Sequence, residues 1–178
     1  GVAQDATGIG SSGFAGRSAT SMQVSFGAIP MADGLKIGAS YFQFDKQGAT
    51  KKDQEAESGA YYATYSVGAV SLGYSKAHKA LLVADDANTG VEYYDQVNQS
   101  IAYAINDDLS ISYEVEKSEA NYVLDSSAAV EQKSTGVQIA YNLGGMTLAI
   151  ARNTHDNPSY STTAADLEQT LFALTMAF

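Results

Sequence analysis

Residues 136–153 read GVQIAYNLGGMTLAIARN. Val137, Ile139, Tyr141 and Leu143 take every second position up to the pair Gly144 and Gly145, and Met146, Leu148 and Ile150 resume the alternation beyond it. A period of two divides side chains between the two faces of a strand, and two glycines between such runs mark a tight hairpin turn. The opposite face carries Gly136, Gln138, Ala140, Asn142, Thr147, Ala149 and Ala151. One face of the hairpin is therefore large and apolar, the other small and polar.

The unit recurs. Phe26, Tyr65, Tyr103, Tyr141 and Phe178 each end an alternating run, at intervals of 39, 38, 38 and 37 residues. A fixed period of this size means one supersecondary unit used repeatedly. Nine strands are predicted, over 19–28, 35–44, 59–67, 70–79, 95–106, 109–118, 133–143, 146–154 and 167–178. Each is close to the roughly 9 to 11 residues that cross a bilayer when tilted. Short joints containing Gly68, Asn106 or Gly144 alternate with long polar stretches at about 45–58, 80–94, 119–132 and 155–166, which hold most of the charge. Short turns at one end and long loops at the other are the asymmetry of an outer-membrane barrel.

Composition limits the alternatives. With 10 basic and 20 acidic residues the formal net charge is −10, which argues against a general affinity for nucleic acid. Mean hydropathy is −0.15, and no run approaches the roughly 20 apolar residues of a membrane helix. A membrane β-barrel hides its apolar residues at alternate positions and so passes both tests. Two prolines suit long paired strands, and the absence of cysteine removes disulfides and thiolate chemistry. No signal peptide precedes Gly1, so the chain is expected to be processed or cut from something longer.

The expected fold is all-β, a transmembrane antiparallel up-and-down β-barrel. On its apolar face Phe26, Tyr65, Tyr74, Tyr103, Tyr113, Tyr141 and Phe178 all fall near a short turn or the chain end, as one aromatic girdle at headgroup height would. On its polar face Lys36, Glu114, Glu116, Gln138, Asn142 and Asn153 are the expected lumen-lining residues; each could equally do no more than solvate the wall. Alternation also occurs in a soluble sheet with one wet face, but such a sheet rarely aligns its tyrosines in a belt.

The terminal LFALTMAF, Leu171 to Phe178, and the repeated hairpins resemble the Gram-negative general-diffusion porin family. The likeness spans nearly the whole chain, but its motifs are patterns, and only the last strand is fairly specific. It implies a water-filled outer-membrane channel for small hydrophilic solutes and ions, a homotrimer, contact with outer-membrane lipid and lipopolysaccharide, and no cofactor. It also implies that Phe172, Leu174, Met176 and Phe178 serve as the signal read by the assembly machinery. If Phe178 ends at the periplasmic side, counting back puts residues 1–18 in an extracellular loop. Nine strands cannot close an antiparallel barrel, so the expectation is the C-terminal half of a barrel of about sixteen to eighteen strands whose N-terminal half lies elsewhere. The rival layout drops the first strand and closes the other eight into a small filled barrel of structural or adhesive role.

Other motifs are discounted. Gly8, Gly10 and Gly13 spell a GxGxxG with Asp33 downstream, but no strand precedes them and no helix pattern follows. His78 and His155 read as solvated residues in or near loops, without zinc spacing. The pairs Asp85/Asp86 and Asp107/Asp108 lack calcium-loop spacing, so no metal site is expected. An enzymatic barrel would need nucleophile, base and orienter converging on one face, for which only His78 stands on a strand. Arg152 points toward lipid on strict alternation, so either it reaches the outer headgroups or the register slips there.

Overall fold

The computed structural model describes residues 2–4, 18–27, 32–44, 52–54, 56–81, 83–84, 89–124 and 126–176. Twelve strands follow in order: β1 Val2–Gln4, β2 Ser18–Phe26, β3 Leu35–Phe44, β4 Lys52–Gln54, β5 Ala56–Val67, β6 Val70–Ala80, β7 Val83–Ala84, β8 Val91–Ala104, β9 Leu109–Tyr122, β10 Val130–Asn142, β11 Met146–Asp156 and β12 Leu167–Met176. Nine long strands and the short β1 form a single antiparallel sheet in the order β1-β2-β3-β5-β6-β8-β9-β10-β11-β12, while β4 and β7 pair separately. Among the described residues no pairing closes the sheet.

The nine expected strands are all present. Expected turns hold as well: in the opening hairpin Gly144 and Gly145 adopt φ of 46° and 87°, and Leu143 and Met146 exchange backbone bonds of 2.7 and 3.4 Å. This is the two-residue turn that needs positive φ at both centres. At the β8–β9 turn the Asn106 Oδ1 accepts from the Asp108 and Leu109 amides at 2.9 and 2.8 Å. Such side-chain capture of backbone is why Asn favours turns.

Three expectations are corrected. Residues 1–18 were expected to be an outer loop, but Val2–Gln4 pair antiparallel with β2, Val2 opposite Thr20 and Gln4 opposite Ser18. The strands β8, β9 and β10 also run further at the loop end than alternation indicated, reaching Val91, Tyr122 and Val130. There Asp95, Glu119 and Lys133 enter the apolar face while Ala120 and Val130 fall on the other, so the period-2 signal fades although the backbone ladder continues. The eight-strand closure is not formed, because the β3 edge it would need is occupied by β2 from Ala19↔Phe44 to Phe26↔Ile37.

Registers show how the strands lean. One line perpendicular to them runs Leu35, Tyr65, Leu72, Ile101, Tyr113, Val137, Arg152, Thr170. It begins at the first residue of β3 and ends six residues before the end of β12. That climb of about 20 Å across seven strand spacings, about 34 Å, gives a slope of about 30° if the turns lie level. Barrel walls tilt by roughly 35 to 45°, so this slope lies a little below that range.

Among the described residues the sheet has no dry core: the buried apolar ones are Ala80 and Ala120, with Val83 on β7, and no large side chain is fully buried. Total exposed area is 11958 Å², against about 8300 Å² for a globular monomer of this mass. A sheet this size with its apolar face uncovered lacks the burial that would stabilise it in water.

Candidate functional site

Adjacent rows of the sheet differ completely in chemistry. The row beginning at Leu35 is apolar as far as Arg152, whereas the row one residue along reads Lys36, Thr64, Gly73, Ser100, Glu114, Gly136, Asn153, Gln169. Because pleating sends neighbours to opposite sides, these rows lie on opposite faces.

On the polar face the register brings Glu114 and Asn153 together across Gly136, where a Cβ would stand 3.0 Å from Asn153 Oδ1. Asn98 Nδ2 donates to Glu114 Oε1 from the neighbouring strand. Glu114, Glu116, Ser134, Asn153 and His155 line a cleft of about 120 Å³. Gln138 is exposed one step below, and Asn142 accepts from Thr147 Oγ1 at 2.6 Å near the turn. Lys36 stands at the start of β3, on the same row as Glu114 but four strands away. Larger rings also stand on this face: Tyr62 covers Gly38, at which a Cβ would lie 2.4 Å from the ring, and Phe42 lies on the same face of β3.

Sequence reasoning overlooked Lys79, which shares the polar face with Ala77 and Ser75 on β6. Within the regular ladders Lys36 and Lys79 thus oppose Glu114 and Glu116, and the wall's own charges balance. Its alternation with Ala77 was legible, but the run was assigned to the end of a strand. His155 was also misjudged: it lies on β11, on the polar face, with Nδ1 2.9 Å from Ser134 Oγ. His78 sits on β6, as its position in the expected strand indicates, 2.7 Å from Asp95 on the other face.

On the apolar face the expected girdle residues are exposed, with Phe26 at 55% and Tyr103 at 47%. Tyr65, Tyr103 and Tyr141 stand one or two residues from the turn-side ends of their strands, and Tyr74 and Tyr113 stand four. That difference separates them by about 7 to 10 Å along the strand. Higher still are Tyr41, whose hydroxyl donates to Glu57 at 2.8 Å, and Tyr61, whose ring lies 6.3 Å from Tyr74. Phe172, Leu174 and Met176 face outward from β12, while Phe178 lies outside the described residues. The GxGxxG glycines and Asp85/Asp86 also lie outside them.

Charges mark the far edge of the apolar band. Arg152 keeps its register opposite Thr170, so no slip occurs, and it pairs with Glu168 at 2.8 Å. Lys117 with Glu131 at 3.1 Å and His78 with Asp95 occupy the same end of the same face. Between the turn and Arg152 the band covers about 20 Å of strand, extended at the turn end by exposed Ile105 and Leu143. Scanned against known protein families and against curated protein sequences, the chain matches none.

Proposed function

We propose that this chain forms part of the wall of a water-filled outer-membrane channel, through which small hydrophilic solutes and ions diffuse passively. The observation that carries this reading is the pairing of an uncovered apolar face with a continuous polar face on a staggered antiparallel sheet. Lipid is the medium in which such an apolar face is stable, and closure of the sheet around water is the arrangement in which the polar face is stable. Among the described residues both outer edges of the sheet leave ladder groups to be satisfied, and further strands of a barrel of about sixteen to eighteen would satisfy them. Tyr65, Tyr103 and Tyr141 then belong to the girdle on the turn side, and Phe172, Leu174, Met176 and Phe178 to the assembly signal. A homotrimer and contact with lipopolysaccharide complete the reading.

A channel of this kind breaks no bonds. It lowers the barrier to a hydrated solute by replacing hydrocarbon with water, and selects by width and fixed charge. The balanced wall charges leave selectivity to the acidic excess of the whole chain, −10 overall, which favours mild cation preference. Reconstituting the full-length protein in planar bilayers tests this. Ohmic single-channel steps with a reversal potential toward cations across a salt gradient are expected. Failure to conduct would refute the channel, and anion selectivity would refute the preference.

A further inference from the structure

We infer that the connection between β11 and β12, residues 157–166, folds inward across the polar face and narrows the channel, with Tyr160 as its latch and as a residue that sets the size of solute admitted. The inference rests on the channel reading, because the polar face must enclose the water.

Four contacts draw the segment over the sheet rather than away from it. Asn157 Nδ2 donates to the Glu131 carbonyl at 2.9 Å, and the Ser159 amide donates to Gln132 Oε1 at 2.8 Å, both on the adjacent β10. Tyr160 reaches further. Its hydroxyl is hydrogen-bonded to Ser118 Oγ on β9 at 2.7 Å, and its ring centroid lies 5.2 Å from that of Tyr94 on β8. Starting from β11, the segment therefore spans three strand spacings, about 14 Å of wall. Gln132, Ser118 and Tyr94 all belong to the polar face, as the direct pairing of Gln132 with Ser118 and of Tyr94 with Ala120 requires.

Burial points the same way. Ser118 is 7% exposed and Ala120 is 0% exposed, on a face whose other described residues, Gly38 apart, are at least partly exposed. Asn157 has φ of 50°, which asparagine adopts readily, but Ser159 and Tyr160 hold φ of 58° and 56°, a left-handed backbone uncommon for such residues and consistent with the contacts that hold the segment. Beside the latch, Lys79, Gln96, Tyr94 and Tyr160 line a cleft of about 340 Å³, so the passing solute meets two phenol rings and an ammonium at this height.

Two measurements on the full-length protein test the proposal. Tyr160 is the one chymotrypsin site within residues 157–166. In the folded wild type it should resist cleavage, and the double variant Tyr94→Ala with Ser118→Ala, which keeps Tyr160 but removes its partners, should be nicked at least about 10-fold faster. In planar bilayers Tyr160→Ala and the double variant should raise single-channel conductance about 1.2- to 1.5-fold, and Tyr160→Phe, which keeps the ring, should fall between them and wild type. Equal nicking of wild type and variant would overturn the latch. Unchanged conductance with faster nicking would overturn the constriction. A wild type that never conducts would instead end the channel reading and the constriction with it, while the protease result would still report whether the segment is latched.

Discussion

Replacing Ile139 by arginine separates a lipid-facing sheet from a water-facing one, because the two settings predict effects of different size. Ile139 is 46% exposed on the apolar face, in register with Ile111 on one side and Ile150 on the other. It stands three residues above Asn142 at the turn end of β10, about 10 Å along the strand and near the middle of the apolar band. A cation at the midplane of a lipid-facing barrel wall costs about 2 to 4 kcal/mol, or about 30- to 900-fold in the folding equilibrium. An exposed isoleucine on a water-facing surface would change stability by no more than about 0.5 kcal/mol on the same substitution. Gln138→Arg is the internal control, one residue away and on the opposite face, where an effect under about 0.5 kcal/mol is expected. The assay is reversible denaturant titration of the full-length protein folding into phospholipid vesicles, followed by tyrosine fluorescence. Equal effects at 138 and 139, or a larger loss at 138, would refute the assignment of faces and everything built on it.

Other consequences follow from particular contacts. Gly34→Ala should destabilise by at least about 2 kcal/mol, since φ is 82° and the new Cβ would sit 2.0 Å from the Ser66 carbonyl oxygen; Gly27→Ala, with nothing within 4 Å, is the near-neutral comparison in the same titration. Gly38→Val should expel the Tyr62 ring from the polar face at a cost of about 1 to 3 kcal/mol, and restoration by the second change Tyr62→Ser would identify the clash as the cause. Neutralising Glu114 and Glu116 together to glutamine should shift the reversal potential toward anions, because Lys36 and Lys79 would then be the wall's unbalanced charges; a potential that does not move would place these carboxylates outside the ion path. Glu168→Gln should cost under about 1 kcal/mol, since its pair with Arg152 is largely exposed and a lipid phosphate can take over the guanidinium, and a loss above about 2 kcal/mol would show that Arg152 lies deeper than the headgroups.

Much of the sheet was legible because alternation is a local property. Val137, Ile139 and Tyr141 must share a face in any strand, and glycines at 144 and 145 permit the left-handed turn whatever surrounds them. Hairpin order followed from the short joints, since strands joined by two to four residues have few ways to pair except with each other. The loop ends were poorly legible. Lys117 and Glu131, or Lys133 and Asp156, break the apolar pattern while the backbone ladder runs on beneath them. Val2–Gln4 were read as loop because three residues carry no measurable period, and only their partner β2 makes them a strand.

Residues that act through distant partners were invisible in the chain. Tyr160 lies 42 positions from Ser118 and reads as one more tyrosine in a polar loop, yet it meets that serine two strand spacings from β11, across β10. His155 and Ser134 are 21 apart and meet only because β10 and β11 pair in register. Sequence alone therefore settled the strands, their two faces and the tight turns, all governed by interactions among near neighbours and by backbone angles that each residue type allows. The stagger of the strands, the occupied edge of β3, the pairing of Arg152 and the path of 157–166 over the polar face were decided by tertiary structure, because each depends on which residues of separate strands come opposite one another.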